Sequence, residues 1–153
     1  MLDMLYDTAV KSFQCLHCHK EVFIESLIGT ANRNHCPCCL WSKHVDLAKS
    51  GDRKSLCQAG MEPIGLTFKQ EGRDKRGNPR QGELMLIHQC AKDGKFSINR
   101  VAGDDDPEVM IQVFYKSEHL TENTKQQLVK TQILLLTKKD ETEIRTQLYG
   151  KPI

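Results

Sequence analysis

The chain has 153 residues, a formal net charge of +2, 39% apolar and 27% charged residues, and seven cysteines. This composition excludes disorder throughout, and membrane spanning is not expected, because no apolar run exceeds the four residues of Ile133 to Leu136, far short of the roughly 18 residues of a spanning helix. Aromatic residues make up only 6% of the chain, so the apolar core is modest and a metal or disulfides are expected to supplement it.

Residues 1–12 read as an N-terminal extension. Asp3 and Asp7 stand where a secretory signal has a basic region, so the expected location is the cytoplasm. In that reducing compartment clustered cysteines read as metal ligands or reactive thiols before disulfides. From Phe13 to Asp106 short strands alternate with glycine, proline and asparagine: KEVFIES, MEPIGLTF, ELMLIHQC and KFSINRVAG. Between the second and third of these, FKQEGRDKRGNPRQGE forms a polar, hairpin-like insertion carrying Lys69, Arg73, Lys75, Arg76 and Arg80.

After GDDDP the texture becomes helical. Asp106 and Pro107 start a helix over PEVMIQVFYKSEH, with Val109 and Val113 inward. Thr121 caps a second helix, expected to run through ENTKQQLVKTQILLL, and Asp140 caps a third, ETEIRTQLY, stopped by Gly150. The expected fold class is α+β: a small β-rich, zinc-ribbon-like domain over residues 13–106, followed by a helical C-terminal tail over 107–153. Charge divides between the two parts, with 15 Lys+Arg against 11 Asp+Glu in residues 1–100 and 7 against 9 thereafter.

The chemistry is concentrated in the cysteines. Cys15 and Cys18, then Cys36 and Cys39, give C-x2-C-x17-C-x2-C, a zinc-site spacing. Two residues between cysteines let a tight turn aim both sulfurs at one ion, and two such knuckles complete a tetrahedron. One structural zinc is expected there, with Cys38 as a spare thiol inside the second knuckle. A second ion is possible at Cys57, Cys90 and Asp93, because CAKDG has the shape of a knuckle whose second cysteine is an aspartate. His35, His44 and His88 are candidate fourth ligands, since on a strand through LIHQC the side chains of His88 and Cys90 share a face.

The run RNHCPCCLWSKHVD, followed by GDR, MEPIGL, LIHQC and NRVAGDDD, resembles the RNHCP domain family, named for the motif at Arg33, Asn34, His35, Cys36 and Pro37. The resemblance covers about residues 13–106 and leaves the helical tail uncovered. It implies a compact zinc-binding domain in a bacterial-type protein and leaves the activity open. The family pattern has C-x-x-C-G where this chain reads Cys90, Ala91, Lys92, Asp93, Gly94.

Three functions are compatible with these residues. The leading one is a structural-zinc module that contacts RNA, ribosome- or translation-associated, using the 69–80 loop together with Arg33, Lys43, Arg53, Lys54 and Arg100, with Trp41 as a base-stacking surface. The second is a metal-dependent hydrolase or nuclease built on His44, Asp46, Asp104 and Asp105, which match polar positions of the family motifs, as does Asp52. Here the plainer reading of the three aspartates is a turn at a helix N-terminus, which attracts carboxylates. The third is a protein-interaction adaptor, with Val113, Leu128, Leu135 and Leu136 of the tail docking to a partner. No P-loop, HExxH or nucleophile elbow is present in the sequence.

Overall fold

Alternating and continuous apolar runs become strands here according to whether one face or both faces are covered. In the computed structural model, which describes residues 11–24, 35–43, 57 and 59–150, β1 (Lys11–Gln14) and β2 (Glu21–Ile24) form an antiparallel hairpin. A four-stranded antiparallel sheet follows in the order β3 (Ser42–Lys43), β4 (Gly60–Phe68), β5 (Leu84–Cys90) and β6 (Phe96–Arg100). The two central strands, β4 and β5, are buried along most of their length, as sheets covered on both faces require.

One covering layer is α1 (Pro107–Ser117), which lies against β4 and buries Met110, Ile111, Val113 and Phe114. These meet Leu66, Leu84 and Leu86 of the sheet, Leu40, Leu136 and Ile144 in the main core. On the other side Leu128, from α2 (Glu122–Lys130), packs on Ile64 and Ile87, with Phe96, Leu120, Ile133 and Leu135 around them. Ile64 sits at the register shift between Pro63 and Gly65, where β4 bulges. A 3-10 turn (Lys138–Asp140) leads into α3 (Glu141–Tyr149). The side-chain amide of Gln147 on α3 accepts from Leu84 N and donates to Gly82 O, which fastens α3 to the root of the 69–82 arm.

Two of the three expected caps are made; Asp140 precedes α3 as expected but does not cap it, because its carboxylate turns back to accept from Thr137 N at 2.9 Å in the 3-10 turn. Asp106 caps α1 by accepting from Glu108 N, and Thr121 caps α2 by accepting from Thr124 N. The second helix, however, stops at Lys130 and does not continue through Leu136. Gln132 turns left-handed at φ 62°, Ile133 N donates to Leu128 O and Gln132 N to Val129 O. These are the paired bonds of a Schellman ending, with Leu128 and Ile133 as its apolar contact. The remaining residues run as a strap beside β4, where Leu136 N donates to Leu66 O and Leu136 is buried in the main core. Burial of Leu136 there outweighs the helix propensity of a leucine run, which is a weak preference.

Candidate metal centre

Three turns of the chain share one hydrogen-bonding plan. In the first, joining β1 to β2, Cys15 N donates to Lys20 O and His19 N to Cys15 O. In the second, Cys36 N donates to Trp41 O and Leu40 N to Cys36 O. In the third, joining β5 to β6, Cys90 N donates to Lys95 O and Gly94 N to Cys90 O. The fifth residue of each is left-handed: His19 at φ 65°, Leu40 at φ 66° and Gly94 at φ 75°. Only the third uses glycine, which takes that conformation without steric cost. The other two hold a histidine and a leucine there.

The plan points amides at sulfur. Cys15 Sγ accepts from His17 N and Cys18 N, each at 3.4 Å, and Cys36 Sγ accepts from Cys38 N at 3.4 Å. Such donors favour thiolate over thiol. The first two turns face one another, so that the sulfurs of Cys15, Cys18, Cys36 and Cys39 all lie within 4.8 Å of each other. Cys15 and Cys39 are 3.5 Å apart and Cys18 and Cys36 3.6 Å, far beyond a disulfide bond. They are close to the edge of about 3.8 Å expected of a tetrahedron with metal–sulfur bonds of about 2.3 Å. Burial pushes the Cys36 thiol up to about 11 and that of Cys39 higher still, so these two ionise readily only beside a cation. Cys18 moves the other way, lowered chiefly by its bond from the Lys20 amide. The four can hold a metal ion, and a four-sulfur set leaves no open coordination position for chemistry. Cys38 is exposed, within 3.7 Å of Lys20 Nζ.

Behind the second turn lies a buried polar network. His35 Nε2 is 2.8 Å from Asp105 Oδ2, with both side chains almost fully buried. An ionised carboxylate only accepts, so His35 donates. The same oxygen accepts from Ala102 N at 2.8 Å, and Asp106 N donates to Pro37 O at 3.0 Å. The GDDD turn is thereby bolted to the cysteine knuckle at one end and opens α1 at the other. His88, fully buried, donates from Nε2 to Leu40 O at 2.6 Å and accepts at Nδ1 from Asn99 Nδ2 at 2.7 Å. Burial first, then the neighbouring His35, pushes its pKa down to about 3.

The sequence-based candidates therefore separate. Cys57, Cys90 and Asp93 come together, with donor atoms within 4.8 Å of one another. His88 does not join them, because both its ring nitrogens are engaged by Leu40 and Asn99. Of the four residues considered for hydrolysis, Asp105 is committed to His35 and Ala102, Asp104 is exposed, and His44 and Asp46 lie outside the described residues, as do Asp52, Arg33, Arg53 and Lys54. Trp41 is half-buried, stacked on His17 with ring centroids 4.4 Å apart, so one face is already occupied. The His35–Asp105 pair joins positions 70 residues apart and was not among the expected pairings. Its only local signal is that each sits beside a structural turn, Cys36-Pro37 and Asp106-Pro107.

Among the described residues, no helix is long and apolar enough to cross a membrane. A family model described as RNHCP domain matches residues 10–111. No curated protein and no solved structure matches the chain.

Proposed function

The chain belongs to the RNHCP domain family, and from that premise we propose that it is a zinc-binding module whose four-cysteine centre is structural and whose 69–80 arm contacts RNA. Zinc is favoured because four thiolates in closed tetrahedral array suit an ion with no redox chemistry and no geometric demand of its own. When bound, the ion ties the β1–β2 hairpin to the 36–41 knuckle, and through His35 and Pro37 to the start of α1.

The observation that carries the RNA reading is the arm. Residues 69–81 are all exposed, yet the tip is ordered by its own bonds: Asp74 Oδ1 accepts from Arg76 N and Asn78 N, and Arg73 Nη1 donates to Gly77 O. Lys69, Arg73, Lys75, Arg76 and Arg80 project from it, and among the described residues no ion pair engages them. A pre-ordered cationic arm suits phosphate contact, which is largely sequence-independent. A ribosomal or translation-associated RNA is the class of target this reading favours.

The test is RNA binding by the zinc-loaded protein, titrated against salt, with K75E/R76E for comparison. Affinity should fall steeply with salt, and the double substitution should weaken binding and flatten that slope by roughly two phosphate contacts' worth. Equal salt dependence of the two proteins refutes RNA contact through the arm.

A protein partner for the tail is the second reading. Its supporting feature differs from the expected one: Val113, Leu128 and Leu136 are buried in the core and Leu135 is half-buried, whereas Val129 and Leu134 are 74% and 66% exposed. Both line an open cavity of about 510 Å³ between α2 and the strap, together with Ser117 and Thr137.

A further inference from the structure

The third turn repeats the metal-binding plan with one donor changed. Cys90 Sγ accepts from Lys92 N at 3.4 Å and Asp93 N at 3.5 Å, as Cys15 Sγ does from His17 N and Cys18 N. In the first two turns the second cysteine accepts from the amide two residues further on, Lys20 for Cys18 and Trp41 for Cys39. In the third, Asp93 Oδ1 takes that bond, from Lys95 N at 2.9 Å. Asp93 thus occupies the position of a second knuckle cysteine in both place and hydrogen bonding.

The partner is delivered by the sheet. Met61 pairs with Cys90 across β4 and β5, and Ala91 N donates to Gly60 O. Cys57, three residues ahead of Gly60, is carried to the mouth of the turn with its sulfur 3.6 Å from that of Cys90, the same separation found within the four-cysteine group. A disulfide needs about 2.0 Å.

We propose that Cys57, Cys90 and Asp93 hold a second divalent ion, zinc or its cobalt(II) substitute, in a site separate from the four-cysteine centre and more readily exchanged. Two thiolates and a carboxylate are a harder and less strongly binding set than four thiolates. Access differs as well: Cys15 and Cys36 are buried in the first centre, whereas Asp93 is exposed and Cys57 half-exposed in the second. The first centre is structural, and the second is the one a chelator or a competing metal reaches first. The inference is independent of RNA binding and does not use the cysteines that the proposed structural zinc requires.

The experiment is metal counting on the full chain after loading with zinc and removal of excess, in the original protein, C57S, C90S and D93A, with C36S as the control for the first centre. Two equivalents are expected in the original protein, with loss of one in each of C57S, C90S and D93A. A limiting chelator should remove one equivalent before the other. D93C should restore the retained equivalent and slow its release. Cobalt(II) titration of the unsubstituted protein supplies a readout independent of variant folding: two binding phases, the weaker with the smaller sulfur-to-metal charge-transfer band, support the site. A single phase, or one equivalent unaffected by C57S and C90S, overturns it. So does finding Cys57 and Cys90 joined as a disulfide when the protein is isolated under reducing conditions.

Discussion

Asp105→Ala tests whether the histidine of the RNHCP motif is structural. The Asp105 side chain is fully buried, and its Oδ2 takes hydrogen bonds of 2.8 Å from both His35 Nε2 and Ala102 N. Truncation strands two buried donors. Each unsatisfied group costs about 1–3 kcal/mol, and loss of one partner of a buried pair about 3–5 kcal/mol, so we expect about 3–5 kcal/mol for the variant. Asp105→Asn keeps an acceptor oxygen where Oδ2 stands and should cost roughly 1–2 kcal/mol, the difference between a charge-assisted and a neutral bond. The assay is urea denaturation of the zinc-loaded protein followed by fluorescence of Trp41, the single tryptophan, which sits in the knuckle that His35 anchors. A double-mutant cycle with His35→Ala should give a coupling of at least ~1 kcal/mol. If Asp105→Ala shifts stability by less than ~0.5 kcal/mol, or the cycle shows no coupling, the bolt between knuckle and helix is not what these residues provide, and a role on a ligand becomes the better account.

Gln132→Gly should stabilise the protein by about 0.5–1 kcal/mol, since it relieves a left-handed residue at φ 62° while keeping the Schellman bonds; thermal denaturation measures it, and a loss of stability would mean that the Gln132 side chain matters more than its backbone. Gly82→Ala should abolish folding or cost several kcal/mol, because a methyl there would run into the carbonyl oxygen of Lys69, and backbone cannot step aside as a side chain can; a well-folded variant by circular dichroism would refute that close approach. His88 is neutral in the folded state down to about pH 3, while in the unfolded chain it titrates near 6.5. Its contribution is therefore complete above pH 6.5 and is lost as pH falls, at about 1.4 kcal/mol per pH unit, or about 2 kcal/mol by pH 5. Histidine-ring NMR of the zinc-loaded protein separates this from thiolate protonation, which acts in the same direction: the His88 signals should not titrate between pH 8 and 5, and a transition near 6.5 would contradict the buried neutral ring.

Much of the site was legible because its determinants are local. The spacing of Cys15, Cys18, Cys36 and Cys39 implies a tetrahedral sulfur set, since a knuckle is built from consecutive residues whose own amides turn toward sulfur. Helix starts were legible for the same reason: Asp106 and Thr121 cap helices through bonds to amides two or three residues away. The arm at 69–80 announced itself by glycine, proline and charge. What lay beyond the sequence depended on distance along the chain. The strap over residues 131–137 follows from the place of Leu136 beside Leu66, a contact between the tail and β4 that no helical period encodes. The engagement of His88 by Leu40 and Asn99 withdraws it from the metal donors although it shares a strand with Cys90. Asp105 became a structural anchor only when the sheet brought residue 35 beside it. Residue type and spacing determined which turns can hold metal; the three-dimensional packing decided which histidines and aspartates support those turns, because burial commits each polar atom to whatever partner the fold places within reach.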